Sequence, residues 1–411
     1  MHCPRMCGLD IWFSKLKVKY ILGILILIGI CDIFGVFIHL FEIDYHTKFT
    51  YPLDINMEEV LWEIKEGKVP SIKPINVHSY RFKIKNEAKC KAMDKNNNTN
   101  VVLLYVIKSA INNQKRRKAI RNSWGWEQRF SDVTIRRIFL LGTSETNPIL
   151  QDDIDKEHEK YQDLVQADFV DTYYNNTIKT MMGFKWVVNY CPKAQFIMFA
   201  DDDMYISTKN LLKFVRNPLN IQLGYRRLLY LSHDDDRKLQ KSNHKSFKIE
   251  TTLSNTVLNT MQVRNSEEIP LQRRKLLQDI HETFGDSLYA GYVFDTSPMR
   301  HKPSKWYVTL KEYPFSRYPP YITAGAYVLS FPALYDMYYT SLYTKHFRFD
   351  DVFLGIVAKK CGISPFHNEN FYFWKKPYDK LGYADVIASH GYDNPTELQK
   401  VWEEQRSLGN A

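Results

Sequence analysis

None of the six cysteines stands in a CxxC pair, which argues against a structural zinc site. Zinc-finger spacing, RNP-type motifs and heptad-linked basic regions are also missing. The basic residues are scattered, so the formal charge of +10 does not read as a nucleic-acid footprint. It fits a basic surface, or attraction to acidic ligands. There is no internal repeat, which excludes a solenoid, and no KDEL-like C-terminal retention signal. Cysteine is scarce enough to limit cross-linking. Cys3 and Cys7 precede an apolar segment and are either acylated or free. Of Cys90, Cys191 and Cys361, at most two can pair, leaving one thiol over.

What is present fits a folded protein: 411 residues, 44% hydrophobic and 25% charged. Tyrosine (27) and phenylalanine (24) are abundant and can serve a core or a carbohydrate site. Tyr20 to Phe41 is nearly all apolar, and a bilayer span needs roughly 20 such residues. Arg5, Lys15, Lys17 and Lys19 precede it; Glu42 and Asp44 follow. The expectation is a cytoplasmic tail (1–19), a transmembrane anchor (20–41) with Asp32 inside it, and everything beyond in the lumen. A cleaved signal peptide is the rival, but no A-x-A site follows. Asn97 and Asn175 begin sequons that would be lumenal and open to glycosylation.

Residues 42–98 read as a stem, with a short helix at Met57–Lys65. A catalytic domain would occupy 99–411. Apolar runs at VVLLYVI and IRRIFLLG read as buried strands, and the intervening QKRRKAIRNSWG as a helix. Pro148 to Gln166 reads as a helix, DFVDTYY as a strand, Thr177–Tyr190 as a helix, and AQFIMFADDDMYI as strand, acidic turn, strand. This alternation predicts an α/β domain with a mainly parallel sheet flanked by helices. Residues 232–285 are polar and read as an insertion, favoured as a loop over a small helical cap.

Two acidic clusters carry the chemistry. Asp201-Asp202-Asp203 end an apolar strand, and three adjacent carboxylates call for a cation or for solvent. Asp234-Asp235-Asp236 have the same composition in a polar stretch and read as a surface loop. Asp350-Asp351 open an apolar, helical segment, where the helix dipole favours the charged form; such a carboxylate is either a helix cap or a general base.

These segments together resemble the β1,3-galactosyltransferase and β1,3-N-acetylglucosaminyltransferase family. The resemblance runs from about Cys90 to Trp402, apart from the insertion. It is carried by Arg116–Gly125 (RRKAIRNSWG), Phe139–Gly142 (FLLG), Asp168–Asp171 with Tyr173, Asn175, Lys179 and Thr180, and Asp201–Asp203. It continues through Gly291-Tyr292-Val293, Lys305–Val308, Tyr318–Tyr321 with Gly325 and Tyr327, and Asp350-Asp351-Val352. The resemblance implies a GT-A type fold, a UDP-sugar donor, Mn²⁺ or another divalent cation, an acceptor glycan on protein or lipid, and a Golgi membrane. It assigns Asp203 as metal ligand, with His390 a second. Asp201, Asp202 and Asp350 would contact substrate, Arg117 and Arg121 would bind the sugar nucleotide or brace the fold, and Asp351 would be the base. Galactose is the expected donor sugar and N-acetylglucosamine the alternative; a non-catalytic glycan-binding protein is the reading from another class. The sequence departs from the family at Asp350, where a Glu is usual, at Ala324-Gly325-Ala326, which is less glycine-rich, and at Cys361, which lies later than the family's cysteine.

Overall fold

The computed structural model describes residues 18–76, 78–91, 101–144, 149–216 and 287–411. The expectations for the cytoplasmic tail up to residue 17, for Cys3, Cys7, Asn97, the Asp234–Asp236 cluster and the 232–285 insertion lie outside them.

Eight strands form one sheet in the order β1-β4-β3-β2-β5-β8-β7-β9. They are β1 (Phe82–Ile84), β2 (Leu103–Lys108), β3 (Ile135–Thr143), β4 (Leu164–Val170), β5 (Phe196–Asp201), β7 (Tyr289–Phe294), β8 (Tyr321–Ser330) and β9 (Phe366–His367). Pairings β2–β3, β2–β5, β3–β4 and β7–β9 are parallel; β1–β4, β5–β8 and β7–β8 are antiparallel. The sheet is mixed and mainly parallel, with helices on both faces. A smaller sheet joins β10 (Phe371–Tyr372), β11 (Ala388–Ser389) and β6 (Tyr205–Ile206).

The apolar runs are explained by burial on two sides. Every residue of β2 is buried. Leu103, Tyr105 and Ile107 face a core with Ile120, Trp124 and Leu211, while Leu104 and Val106 face another with Phe184, Trp186 and Leu354. A strand covered on both faces has no polar position to alternate with. The helices supplying those covers are α3 (Gln114–Arg121), α4 (Ile149–Tyr161), α5 (Asn176–Tyr190), α6 (Thr208–Arg216), α7 (Phe331–Ser341), α8 (Asp350–Lys360) and α9 (Pro395–Ser407). Two start as their sequences dictate. Ser330 caps α7 and Asn394 caps α9, each followed by a proline in the first turn.

Three expectations change. The helix read across Pro148–Gln166 stops at Tyr161, and Leu164–Gln166 belong to β4. Its burial against β3 outweighs the acidic helical pattern before it. The segment read as a stem is packed: α2 (Met57–Lys65) buries Met57, Val60 and Leu61 beside Tyr343, β1 adds a strand to the main sheet, and Cys90 is disulfide-bonded to Cys191. Cys361 keeps a free thiol, which burial pushes up to about 12. Finally, the apolar run Tyr20–Phe41 is not one helix. Helix α1 covers Val18–Ile33, Gly35 turns the chain at φ +77°, and a short 3-10 segment follows at Ile38–Phe41. Among the described residues no helix is long and apolar enough to cross a membrane.

Candidate active site

The parallel strands deliver the candidate residues to one edge. Lys108 ends β2 and lies in register with Asp201, which ends β5. The chain then turns through Asp202 and Asp203 into β6. Strand β6 pairs antiparallel with β11, placing Tyr205 opposite Ser389. The next residue after β11 is His390. Register therefore brings the imidazole to the acidic turn: His390 Nε2 stands 3.4 Å from Asp203 Oδ2. The Tyr392 amide closes the arrangement by donating to the Asp203 carbonyl at 2.7 Å.

The three aspartates have different surroundings. Asp203 Oδ1 is buried and has no hydrogen-bond partner among the described residues. Burial and the neighbouring Asp201 charge raise its pKa, against the pull of His390. Asp202, by contrast, is saturated. Its Oδ2 accepts from Ser109 Oγ (2.6 Å) and Asn113 Nδ2 (2.9 Å), and its Oδ1 from Arg116 Nη1 (3.0 Å). These bonds tie the acidic turn to the loop after β2 and to α3. Asp201 is partly exposed and lies 3.1 Å from Lys108 Nζ.

The second cluster is joined to the first by that same lysine. Lys108 Nζ also lies 2.8 Å from Asp350 Oδ2, to which Thr180 Oγ1 donates at 2.9 Å. Asp350 is 6% exposed. Burial alone would raise its carboxyl, but the Lys108 charge and these hydrogen bonds hold it below the ordinary range. Burial likewise opposes the Lys108 charge, yet Asp201 and Asp350 push its pKa upward. Asp350 therefore anchors the start of α8 from inside through Lys108 and Thr180. Its neighbour Asp351 is half-buried in the first turn, with Oδ1 accepting from the Val352 amide at 2.8 Å. Gly355 lets α8 approach β8 closely: an added Cβ would lie 2.5 Å from Tyr321 Cβ.

Arg117 and Arg121 are buried braces. Arg117 forms a two-pronged pair with Glu157 (2.9 and 2.7 Å) and donates to the Ala110 and Ile111 carbonyls and to Ser109. Arg121 grips Asp163 at 2.9 and 2.8 Å and Glu157 at 2.7 Å. Burial would raise both acids, but the guanidiniums outweigh it and lower them. Of the two roles open to these arginines, the geometry supplies bracing. Through Ser109, Arg117 still supports Asp202. In the sequon at Asn175, the amide Nδ2 donates to the Val170 carbonyl at 2.8 Å, and Thr177 is buried with its hydroxyl on the Phe347 carbonyl.

Lys108 was missed by sequence reading. Its signal was a lone cation ending a strand that is otherwise apolar. Gly325 has φ +110°, and a Cβ there would sit 3.2 Å from Met204 Sδ and 3.5 Å from His390 Cδ2. Tyr173, in the single 3-10 turn before α5, lies close enough for the Asp351 and Asp350 charges to add to burial in raising its pKa.

Comparison with known proteins places this arrangement. The Galactosyltransferase family matches residues 115–260 and 267–369, more than half of the chain. The Drosophila melanogaster protein named beta-1,3-galactosyltransferase brn is 37% identical over 397 residues, covering 96% of this chain and 97% of that one. Mouse beta-1,3-galactosyltransferase 1 is 29% identical over 336 residues, with 82% and 81% covered. A Xenopus tropicalis lactosylceramide 1,3-N-acetyl-beta-D-glucosaminyltransferase is 32% identical over 351 residues, with 82% and 73% covered. The family match takes in the acidic turn and the start of α8, and the Drosophila relative aligns over 96% of the chain: this chain belongs to the galactosyltransferase family.

Proposed function

We propose that the chain is an inverting glycosyltransferase of GT-A type that moves galactose from UDP-galactose to a hydroxyl of an acceptor glycan, forming a β1,3 linkage. The observation that carries this reading is that Lys108 joins the two acidic clusters through Asp201 and Asp350, whose near neighbours in the chain include Asp203, beside His390, and Asp351. The names of the relatives support galactose. The Xenopus relative favours a second donor, UDP-N-acetylglucosamine, for the same reaction.

Among the described residues no three His, Cys, Asp or Glu side chains group as a complete metal site. Two donors are nevertheless set up for one. Asp203 offers a buried oxygen without a partner, and His390 offers a ring nitrogen beside it. A carboxylate and an imidazole suit a Mn²⁺-type ion, which Asp203 and His390 would hold. Such an ion, when bound, neutralises the charge that develops on the departing diphosphate.

The remaining work belongs to the chain. Asp351 accepts the proton of the acceptor hydroxyl as that oxygen bonds to the sugar's anomeric carbon, while the bond from that carbon to the UDP oxygen breaks. One displacement inverts the centre, as in one-step glycoside hydrolysis. Asp351 stands in the first turn of α8, and Lys108 with Asp350 fixes where α8 begins. Gly325 keeps the wall beside His390 free of a side chain. The reading extends to a Golgi membrane location with a type II topology, supported by the apolar 20–41 segment and the basic residues before it.

Turnover of UDP-galactose, UDP-N-acetylglucosamine and UDP-glucose is the direct test, run with Mn²⁺ and with chelator. Metal-dependent transfer that falls about 10²–10⁴-fold in Asp351→Asn is expected. Equal turnover by that variant would refute the assignment.

A further inference from the structure

We propose that the turn at Phe34–Phe41 and the segment Met299–Trp306 form one surface that lies in the interface of a lipid bilayer and seats the candidate active site at the membrane. This goes beyond an N-terminal anchor, since an anchor alone leaves the catalytic body free of the bilayer. It does not depend on which sugar is transferred.

The turn is clamped to the catalytic body. The Lys302 amide donates to the Ile33 carbonyl at 3.1 Å, and Lys302 Nζ pairs with Asp32 at 2.7 Å. The Phe34 ring stacks on His301 with centroids 4.8 Å apart. Gly35 lies so close to Arg300 that an added Cβ would fall 2.4 Å from its carbonyl oxygen. Arg300 is itself 2% exposed. Its guanidinium pairs with Glu42 at 2.7 Å and donates to the Val308, Tyr313 and Phe315 carbonyls. The end of α1 is therefore held in a fixed place on the body.

What the clamp presents outward is apolar. Leu40 is 77% and Phe41 73% exposed, and Phe34, Val36, Met299 and Trp306 are all exposed as well. Helix α1 leaves the same turn with its Ile and Leu side chains exposed from Ile21 to Ile30. A helix that is apolar all round needs a non-aqueous environment, and the turn continues its surface. Charge selects lipid over a second copy of the chain. Asp32 and Glu42 are neutralised by Lys302 and Arg300, Asp44 is turned to the Thr47 amide and hydroxyl, and Lys305 stands in cation–π contact with Trp306 at 4.5 Å. A basic, tryptophan-bearing rim on an apolar surface fits the headgroup region of an anionic bilayer. Trp306 links this surface to the chemistry. Its Nε1 donates to the Tyr173 hydroxyl at 3.2 Å, and Tyr173 lies within reach of the Asp351 charge.

The test reconstitutes the full chain with phosphatidylcholine–phosphatidylserine vesicles whose acyl chains are brominated near the headgroup, and records quenching of tryptophan emission. Trp306→Phe should lose part of the quenching seen in the wild type. Trp126→Phe, in the turn after α3 where Arg137 holds the Gly125 carbonyl, should lose none. Leu40→Asp, on an exposed side chain that no core needs, should weaken the quenching of Trp306. Quenching unchanged in both Trp306→Phe and Leu40→Asp, while the chain floats with the vesicles, would overturn the proposal. So would a chain that does not float with them.

Discussion

Replacing Lys108 with Met removes a charge and keeps nearly the same length, so the loss is electrostatic. The lysine is 5% exposed and has carboxylate oxygens at 2.8 and 3.1 Å. Without it, Asp350 keeps only the Thr180 hydroxyl and the backbone of α8 to balance a fully buried charge. Removing one partner of a buried pair costs about 3–5 kcal/mol. Asp201 adds little, because its side chain is 31% exposed and water can take over. Urea unfolding of the full chain should show this loss, and UDP-galactose turnover should fall with it as the start of α8 shifts. The pH dependence gives an independent check. Asp350 has a folded pKa below its unfolded value of about 3.9. Its contribution is therefore present above that value and disappears as pH falls through the folded pKa. Lys108, whose folded pKa is raised, contributes below about pH 10.4 and loses its contribution above. The deficit of Lys108→Met should thus be largest near neutrality and shrink in acid. Adding Asp350→Asn should recover a large share of the stability. A Lys108→Met protein within about 1 kcal/mol of wild type at neutral pH, below the cost of a broken buried pair, would refute the reasoning.

Three further outcomes follow from named contacts. His390→Ala should shift activation by Mn²⁺ to higher concentration with little effect on thermal stability, since the ring is partly exposed; a metal titration of turnover reads it. Gly325→Ala should cost about 1–3 kcal/mol because the position has φ +110°, and its methyl group should crowd Met204 beside His390, lowering turnover further than stability. Cys90→Ala with Cys191→Ala opens a loop of 101 residues and should destabilise by about 2–5 kcal/mol, read as a lower urea midpoint.

Much of the sheet was legible in the sequence. Strands β2, β3 and β5 are short apolar runs, and such runs have few ways to be satisfied other than burial on both faces. The acidic turn was legible because three carboxylates directly after a buried strand conflict with their surroundings unless something compensates them. The boundary between α4 and β4 was not, because Leu164–Gln166 continue an acidic helical stretch and only pairing with β3 makes them a strand. Nor were the turn at Gly35 or the packed 42–91 segment, whose partners, from β4 and Cys191 to Arg300 and Tyr343, lie far away in the chain.

Taken alone, then, the sequence determined the central strands β2, β3 and β5, several helices, the two acidic clusters and the family they resemble, because apolar period and local charge are properties of neighbouring residues. The tertiary structure decided what each charge does. Two pairs of antiparallel residues between β6 and β11 bring His390 to Asp203. Register between β2 and β5 makes Lys108 the tie between the clusters. Burial separates the expected site residues: Asp203, beside His390, keeps one oxygen without a hydrogen-bond partner among the described residues, while Asp202, Asp350, Arg117 and Arg121 are tied into buried pairs. A carboxylate or guanidinium reads the same in a sequence wherever it sits. Its role depends on which opposite charge shares its desolvated space, and only the packing of distant segments sets that.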